Sequence, residues 1–201
     1  MPRQDLLAIA HRPGRGAVAK RLGFEMPALS LRVVLDPQRD NCGESWRLVI
    51  TGATYCAATN EVLFNEGRAR ELYDSFGDFA VGYIIGAAWA EGVQHALGWQ
   101  HTGEAKSTLA DCMVGAWVQG ALPPPDNHVG ATTTSPIHGT RSMAISAGDL
   151  DEAVLTSIIV GDRGLQDNER GSAFEKIAYL RLGVLEGMPR CIAEAQRLGA
   201  G

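Results

Sequence analysis

An uncharged apolar stretch of 12 residues, Phe79 to Ala90, dominates the hydrophobic pattern of the chain. Its length and composition are typical of a helix that is buried in a protein core. Glycine and alanine recur through it, and such small side chains let neighbouring elements approach closely. Asp78 suits the N-cap position, and Gly98 suits the position just beyond the C-terminus. The pattern therefore predicts a central buried helix over about residues 78–98.

Upstream of this helix, three short segments are rich in residues that favour β-strands. They cover residues 29–36, 47–56 and 61–65. Asn65 can then cap a helix over residues 66–76, because an asparagine side chain accepts hydrogen bonds from the first turn of a helix. This part of the chain predicts a small β element that leads into the helices.

The second half of the chain is predicted to be helical, apart from one segment rich in proline, threonine and glycine. Apolar periodicity predicts helices over residues 109–122, 149–161 and 171–187, after a polar loop or helix start over residues 98–108. Residues 123–140 show no periodicity and predict a long mobile loop.

These elements predict an α+β protein with a small β element followed by a mainly helical body. The length of 201 residues favours one folded domain. We place that domain at residues 29–201 and expect residues 1–28 to form a polar lead-in or arm.

Charge and hydropathy exclude several classes of protein. The net charge of -5 argues against a nucleic-acid-binding protein, which would carry a basic patch. The apolar run of 12 residues is too short to span a bilayer. The N-terminal sequence lacks the features of a signal peptide, which leaves two alternatives, a mature or trimmed exported protein and a cytosolic one.

The four cysteines leave their pairing open. They are Cys42, Cys56, Cys112 and Cys191, and none of them has the C-x-x-C spacing of a zinc site. An even number allows two disulfides in three connectivities, and four free buried thiols are the other interpretation.

Several short fragments occur in an order that matches a known family. They are a Cys-Gly, a Tyr-Cys, a G-D-F-A, an A-D-C and a G-D-x-x-E-A, here Cys42-Gly43, Tyr55-Cys56, Gly77 to Ala80, Ala110 to Cys112 and Gly148 to Ala153. In their order and spacing, from about Cys42 to Cys191, they resemble the neutral zinc metallopeptidase family of the bacterial cell envelope. The resemblance implies a zincin-like fold.

The zinc-binding motif of that family is absent from this chain. In an H-E-x-x-H helix, two histidines bind zinc and the glutamate acts as general base. Here Ala87 and Glu91 stand at the histidine positions and Ala88 at the glutamate position, and Ser107 stands where the resemblance implies an acidic third ligand. Because a catalytic zinc site needs three protein ligands, the resemblance implies no catalysis, no bound metal and no cofactor.

The resemblance also implies the pairing of the cysteines and the location of the protein. It implies disulfides Cys42–Cys56 and Cys112–Cys191, since the cysteines match those of an exported family. We therefore expect an extracytoplasmic bacterial protein that is secreted, periplasmic or associated with the cell envelope.

We interpret the chain as a pseudoenzyme, that is, an inactive metallopeptidase-like protein. It would bind a protein partner or serve as a subunit of a larger envelope complex. The residues predicted to line its binding cleft are Trp89, Glu91, His95 and Asp111. Trp89 either fills the former metal cavity or is an ordinary core residue.

Two other functions remain open. Glu91 and His95 share a helix face at i, i+4 spacing and, with Asp111, form the candidate ligands of a rebuilt metal site in an active hydrolase. A purely structural domain of a larger assembly is the other alternative. Ser172 and Lys176 also have i, i+4 spacing, but such pairs are too common to indicate a serine–lysine hydrolase.

Overall fold

The computed structural model confirms a mixed α+β fold. It describes residues 29–40, 42–43, 45–121, 147–161 and 172–199. The arm predicted at residues 1–28 and the loop predicted at residues 123–140 lie outside the described residues. Within the described ranges the chain forms one small sheet and seven helices.

The sheet has three strands and stands at the start of the described chain. The strands are β1 (Ser30–Val34), β2 (Ala53–Cys56) and β3 (Glu61–Asn65), in the spatial order β1-β3-β2. Strand β3 pairs in parallel with β1, where Val62 lies opposite Leu31, and antiparallel with β2, where Val62 lies opposite Tyr55. The strands predicted at 29–36 and 61–65 are confirmed.

The second predicted strand, over residues 47–56, was wrong in its first half. Helix α1 covers Ser45–Thr51, and Gly52 follows it in the left-handed region at φ +85°. Leu48 of α1 is fully buried in a cluster with side chains of the sheet. Because a short apolar run rich in β-branched residues suits either structure, tertiary packing decided between them.

Helix α2 covers Glu66–Phe76 and begins where the sequence predicts. The side chain of Asn65 accepts a hydrogen bond from the backbone N–H of Arg68 at 3.2 Å. Asn65 is therefore confirmed as the N-cap of this helix.

The central helix, α3, covers Asp78–Ala96 and is buried along most of its length. It packs against α2 and against both β2 and β3. Gly98 follows its end in the left-handed region at φ +72°, as predicted. Asp78 is the first helical residue rather than the N-cap, and its predicted capping role is taken by Glu152, whose carboxylate accepts from the Phe79 N–H at 2.8 Å.

Four further helices complete the described fold, and they are α4 (Gly103–Ala121), α5 (Ala147–Gly161), α6 (Ala173–Glu186) and α7 (Met188–Arg197). The sequence pattern predicts no helix after residue 187 and so misses α7. Proline is compatible with the first turn of a helix, and Pro189 lies there. Gly187, at φ +73°, separates α6 from α7.

Helices α4 and α6 cross in backbone contact. A Cβ atom placed on Gly183 would lie 1.9 Å from the carbonyl oxygen of Cys112. A Cβ atom placed on Gly115 would lie 2.0 Å from the carbonyl oxygen of Leu180. The two glycines therefore set how closely these helices approach.

Two disulfides confirm the pairing that the resemblance implies. Cys42–Cys56 has a sequence separation of 14 residues, and Cys112–Cys191, which joins α4 to α7, has one of 79. In the chain-entropy model, such links stabilise the fold by about 3 and about 4.5 kcal/mol. Their presence fits an oxidising, extracytoplasmic compartment.

None of the helices in the described residues is both long and apolar enough to cross a membrane.

We predict that Gly183→Ala destabilises the protein by about 3 kcal/mol, because the new methyl group overlaps backbone atoms of α4 and the two helices must move apart. Gly120→Ala in α4 is the matched control. No atom lies within 4 Å of a Cβ placed on Gly120, and alanine favours a helix over glycine by about 1 kcal/mol. In urea denaturation, Gly183→Ala should have a lower free energy of unfolding than the unsubstituted protein, and Gly120→Ala a higher one. Equal stability of both would contradict a backbone contact at Gly183.

Candidate functional site

A small cavity lies between α3, α4 and α6, and we call it the polar cavity. This cavity has a volume of about 30 Å³, enough for about two water molecules. Its walls come from six elements and combine apolar and charged side chains. The lining residues are Arg47, Thr51, Ala53, Tyr83, Ile84, Ala87, Ala88, Glu91, Ser107, Ala110, Asp111, Val160 and Lys176.

All four positions at which the resemblance implies lost zinc chemistry line this cavity. Ala87, Ala88 and Glu91 lie on one face of α3, because residues three and four apart are neighbours on a helix. Ser107 faces them from α4. The two alanines supply no ligand atom, and their small side chains leave the space that forms the cavity.

Glu91 is buried and is neutralised by two cations. Its carboxylate accepts a hydrogen bond from the Arg47 guanidinium at one oxygen, and the Lys106 ammonium lies 3.0 Å from the other oxygen. Burial by itself would raise the pKa of Glu91. The positive charges of Arg47 and Lys106 outweigh burial and hold this pKa below its ordinary value. Glu91 is therefore a fixed carboxylate at neutral pH.

Asp111 is the second buried carboxylate of the cavity. Lys176 Nζ lies 2.6 Å from Asp111 Oδ2, and the Tyr83 hydroxyl donates to Oδ1. Lys176 Nζ also donates to Ser107 Oγ at 3.2 Å. These four side chains, from α3, α4 and α6, form one hydrogen-bonded group inside the core.

The contact between Ser107 and Lys176 does not have the form of a nucleophile and base. A lysine must lose its proton before it can accept one from a serine. Lys176 Nζ lies 2.6 Å from Asp111 Oδ2, closer than the 3.2 Å that separate it from Ser107 Oγ. Ser172, the serine that the sequence places four residues before Lys176, caps α6 through Glu175 instead. The geometry therefore favours a structural ion pair.

The structure does not bring the candidate ligands of a rebuilt metal site together. Glu91 and Asp111 line the polar cavity, but His95 is exposed and its ring contacts Tyr55, with centroids 5.6 Å apart. Both carboxylates already have cationic partners. In the described residues, acidic groups within metal-ligand distance of each other occur elsewhere, beside the start of α3, at Asp78, Asp149 and Glu152.

Trp89, the fourth residue predicted for the cleft, belongs to the core. It is half-buried against both of the larger hydrophobic clusters and is not among the residues that line the polar cavity. Of the two roles that the sequence allows, its contacts match the ordinary core residue.

Sequence reasoning missed the cations of the site. Arg47 lies in a segment that the sequence pattern predicts as a strand, and the spacing of Lys176 to Ser172 gives no indication of its pairing with Asp111. One signal was available, because a carboxylate such as Glu91 or Asp111 within an apolar helix needs a buried cationic partner. The sequence does not show which of 18 lysines and arginines provides it.

Comparison with known proteins adds no relative. No protein family, curated protein or solved structure matches this chain. The resemblance to neutral zinc metallopeptidases therefore stays a prediction from the sequence.

We predict that Glu91→Gln lowers the free energy of unfolding by roughly 3 kcal/mol at pH 7, because Arg47 and Lys106 lose their buried counter-charge. A carboxyl group with a lowered pKa stabilises the fold above its unfolded pKa, and that stability is lost as pH falls through the folded pKa. The difference from the unsubstituted protein should therefore shrink below about pH 4.5. Urea denaturation from pH 7 to pH 3 measures it.

Glu71→Gln is the matched control for this experiment. Glu71 pairs with Arg68 at 2.8 Å but its side chain is 67% exposed, so little change in stability is expected. A difference between Glu91→Gln and the unsubstituted protein that stays constant down to pH 3 would contradict the role of the Glu91 charge.

Proposed function

We propose that this protein is an inactive, metallopeptidase-like protein of the bacterial cell envelope, which acts by binding a protein partner. One observation carries the proposal. The four positions at which a zinc peptidase of the resembling family needs ligands and a base form a single cavity wall and hold Ala87, Ala88, Glu91 and Ser107. Their shared position in one cavity, with side chains that do not form a catalytic zinc site, supports the proposal.

The charges of the cavity support inactivity. A catalytic zinc ion needs three protein ligands and an open position for water. Of the four positions, only Glu91 offers a charged ligand, and its two oxygens face Arg47 and Lys106. A divalent cation at Glu91 would have to displace both positive groups or lie beside them.

The two disulfides support a location outside the cytoplasm. Disulfides persist in oxidising compartments such as the periplasm and the extracellular space. They also hold the frame of the fold, since Cys112–Cys191 closes a loop of 79 residues.

The open edge of the sheet is the surface that we assign to the partner. Among the described residues, no strand pairs with the outer edge of β1. Leu35 follows this strand and is 79% exposed. An extended segment of a partner can add to such an edge through backbone hydrogen bonds and cover an adjacent apolar side chain.

We predict that the purified protein contains less than about 0.1 zinc per chain and cleaves no peptide when zinc is added, since a catalytic site needs three ligands. Elemental mass spectrometry and a peptide-library digest measure the two properties. One zinc per chain together with metal-dependent cleavage would overturn the proposal.

A restored variant serves as the positive control for metal binding. It carries Ala87→His, Ala88→Glu, Glu91→His and Ser107→Glu, with Lys176→Met to remove the competing charge. If the four positions have the geometry of a zinc site, this variant binds zinc. The same variant with Ala87 and Ala88 unchanged should bind it much more weakly. Folded restored protein without zinc would contradict the metallopeptidase-like interpretation of the fold.

We predict that Leu35→Asp reduces association with the envelope partner, because the partner would bury a charge beside β1. Leu185→Asp is the matched control, since Leu185 is also exposed, at 61%, but lies on α6. Cross-linking in envelopes of the producing organism measures both variants. Equal cross-linking of Leu35→Asp and Leu185→Asp would contradict the assignment of the β1 edge as the binding surface.

A further inference from the structure

The ammonium of Lys176 is enclosed in the protein. Its side chain is 4% exposed, although a buried lysine is costly unless it is paired. Nζ lies 2.6 Å from Asp111 Oδ2 and 3.2 Å from Ser107 Oγ. Both oxygens belong to α4, whereas the lysine comes from α6.

The oxygens around this ammonium are held by other contacts. The Tyr83 hydroxyl of α3 donates to the second oxygen of Asp111, which orients the carboxylate. Asp111 and Ser107 are four residues apart on α4 and therefore lie on the same face. A carboxylate and a hydroxyl oxygen thus converge on one point in the wall of the polar cavity, where Glu91 adds a second carboxylate nearby.

We infer that the polar cavity is a cation-binding site whose occupant is the chain's own Lys176 ammonium, held by Asp111 and Ser107. The inference rests on the proposed function, which treats this cavity as the counterpart of a metal site. It adds that the ammonium of Lys176 is the cation in that site. Lys176 supplies one positive charge and N–H donors where a bound ion would supply charge and coordination. The Asp111 carboxylate therefore has a positive charge beside it without a metal.

The site should accept a free primary alkylammonium when the lysine side chain is removed. Lys176→Ala removes the ammonium that lies 2.6 Å from Asp111 Oδ2 and leaves a space of the volume of the lost side chain. Ethylammonium carries the same charged group on a short chain and fits such a space. The expected loss in Tm for Lys176→Ala is on the order of 10 °C, and ethylammonium chloride should restore part of it in a saturable way.

The experiment follows Tm against ethylammonium concentration, with sodium chloride at equal concentration as the control for ionic strength. Lys106→Ala is the matched variant, because Lys106 also pairs with a buried carboxylate but is 30% exposed, and Glu91 keeps Arg47. It should lose less stability and show no saturable response. Lys176→Ala/Asp111→Asn should be more stable than Lys176→Ala and should not respond to the amine.

The inference is overturned if ethylammonium raises the Tm of Lys176→Ala no more than sodium chloride does. It is also overturned if Lys176→Ala/Asp111→Asn responds equally to the amine. If Lys176→Ala does not fold alone, recovery of folded protein in ethylammonium, and none in sodium chloride, is the supporting result, and no recovery in either is the contrary one. These outcomes do not depend on the zinc content of the unsubstituted protein, which tests the proposed function separately.

Discussion

Two carboxylates in the core, Glu91 and Asp111, impose the constraint around which this site is arranged. A buried carboxylate is tolerated when cations and hydrogen-bond donors surround it. Here the cations come from three different helices: Arg47 from α1, Lys106 from α4 and Lys176 from α6. Helices α1 and α6 must therefore each take one position relative to α3 and α4, so that Arg47 and Lys176 reach these carboxylates. Removing one partner of such a pair costs about 3–5 kcal/mol, because it leaves the other charge buried and uncompensated.

The position of Lys176 depends in turn on the close approach of α4 and α6. Gly115 and Gly183 allow the two backbones to touch, and Ser107 and Asp111 lie on the same helix as Gly115. The disulfide from Cys112 then ties α4 to α7, the helix after α6. Glycines, disulfide and ion pair act on neighbouring turns of α4. A change at one of them is expected to affect the others, because contacts that share partners are not additive.

The pairing of carboxylates with cations in the polar cavity decides which chemistry the cavity can perform. A metal site requires ligands with lone pairs to spare, and a nucleophilic serine requires a neutral base. The cavity instead holds ammonium and guanidinium groups that face carboxylates, beside two alanines. We regard this arrangement as the reason why the proposed function is binding rather than hydrolysis. The partner would then contact the surface of the protein, where the β1 edge and Leu35 are exposed.

The sequence by itself determined the central helix, its buried character, the capping by Asn65 and the α+β class, because these depend on local periodicity and on side chains close along the chain. The cysteine pairing followed from the family resemblance and not from spacing. Helix α1 was decided by tertiary packing, since Leu48 gains burial against the sheet as a helical residue. Lys176 and Asp111 are 65 residues apart, and the tertiary structure also decided their pairing. A charge in the sequence shows that a partner is needed, but only the crossing of helices shows which residue it is.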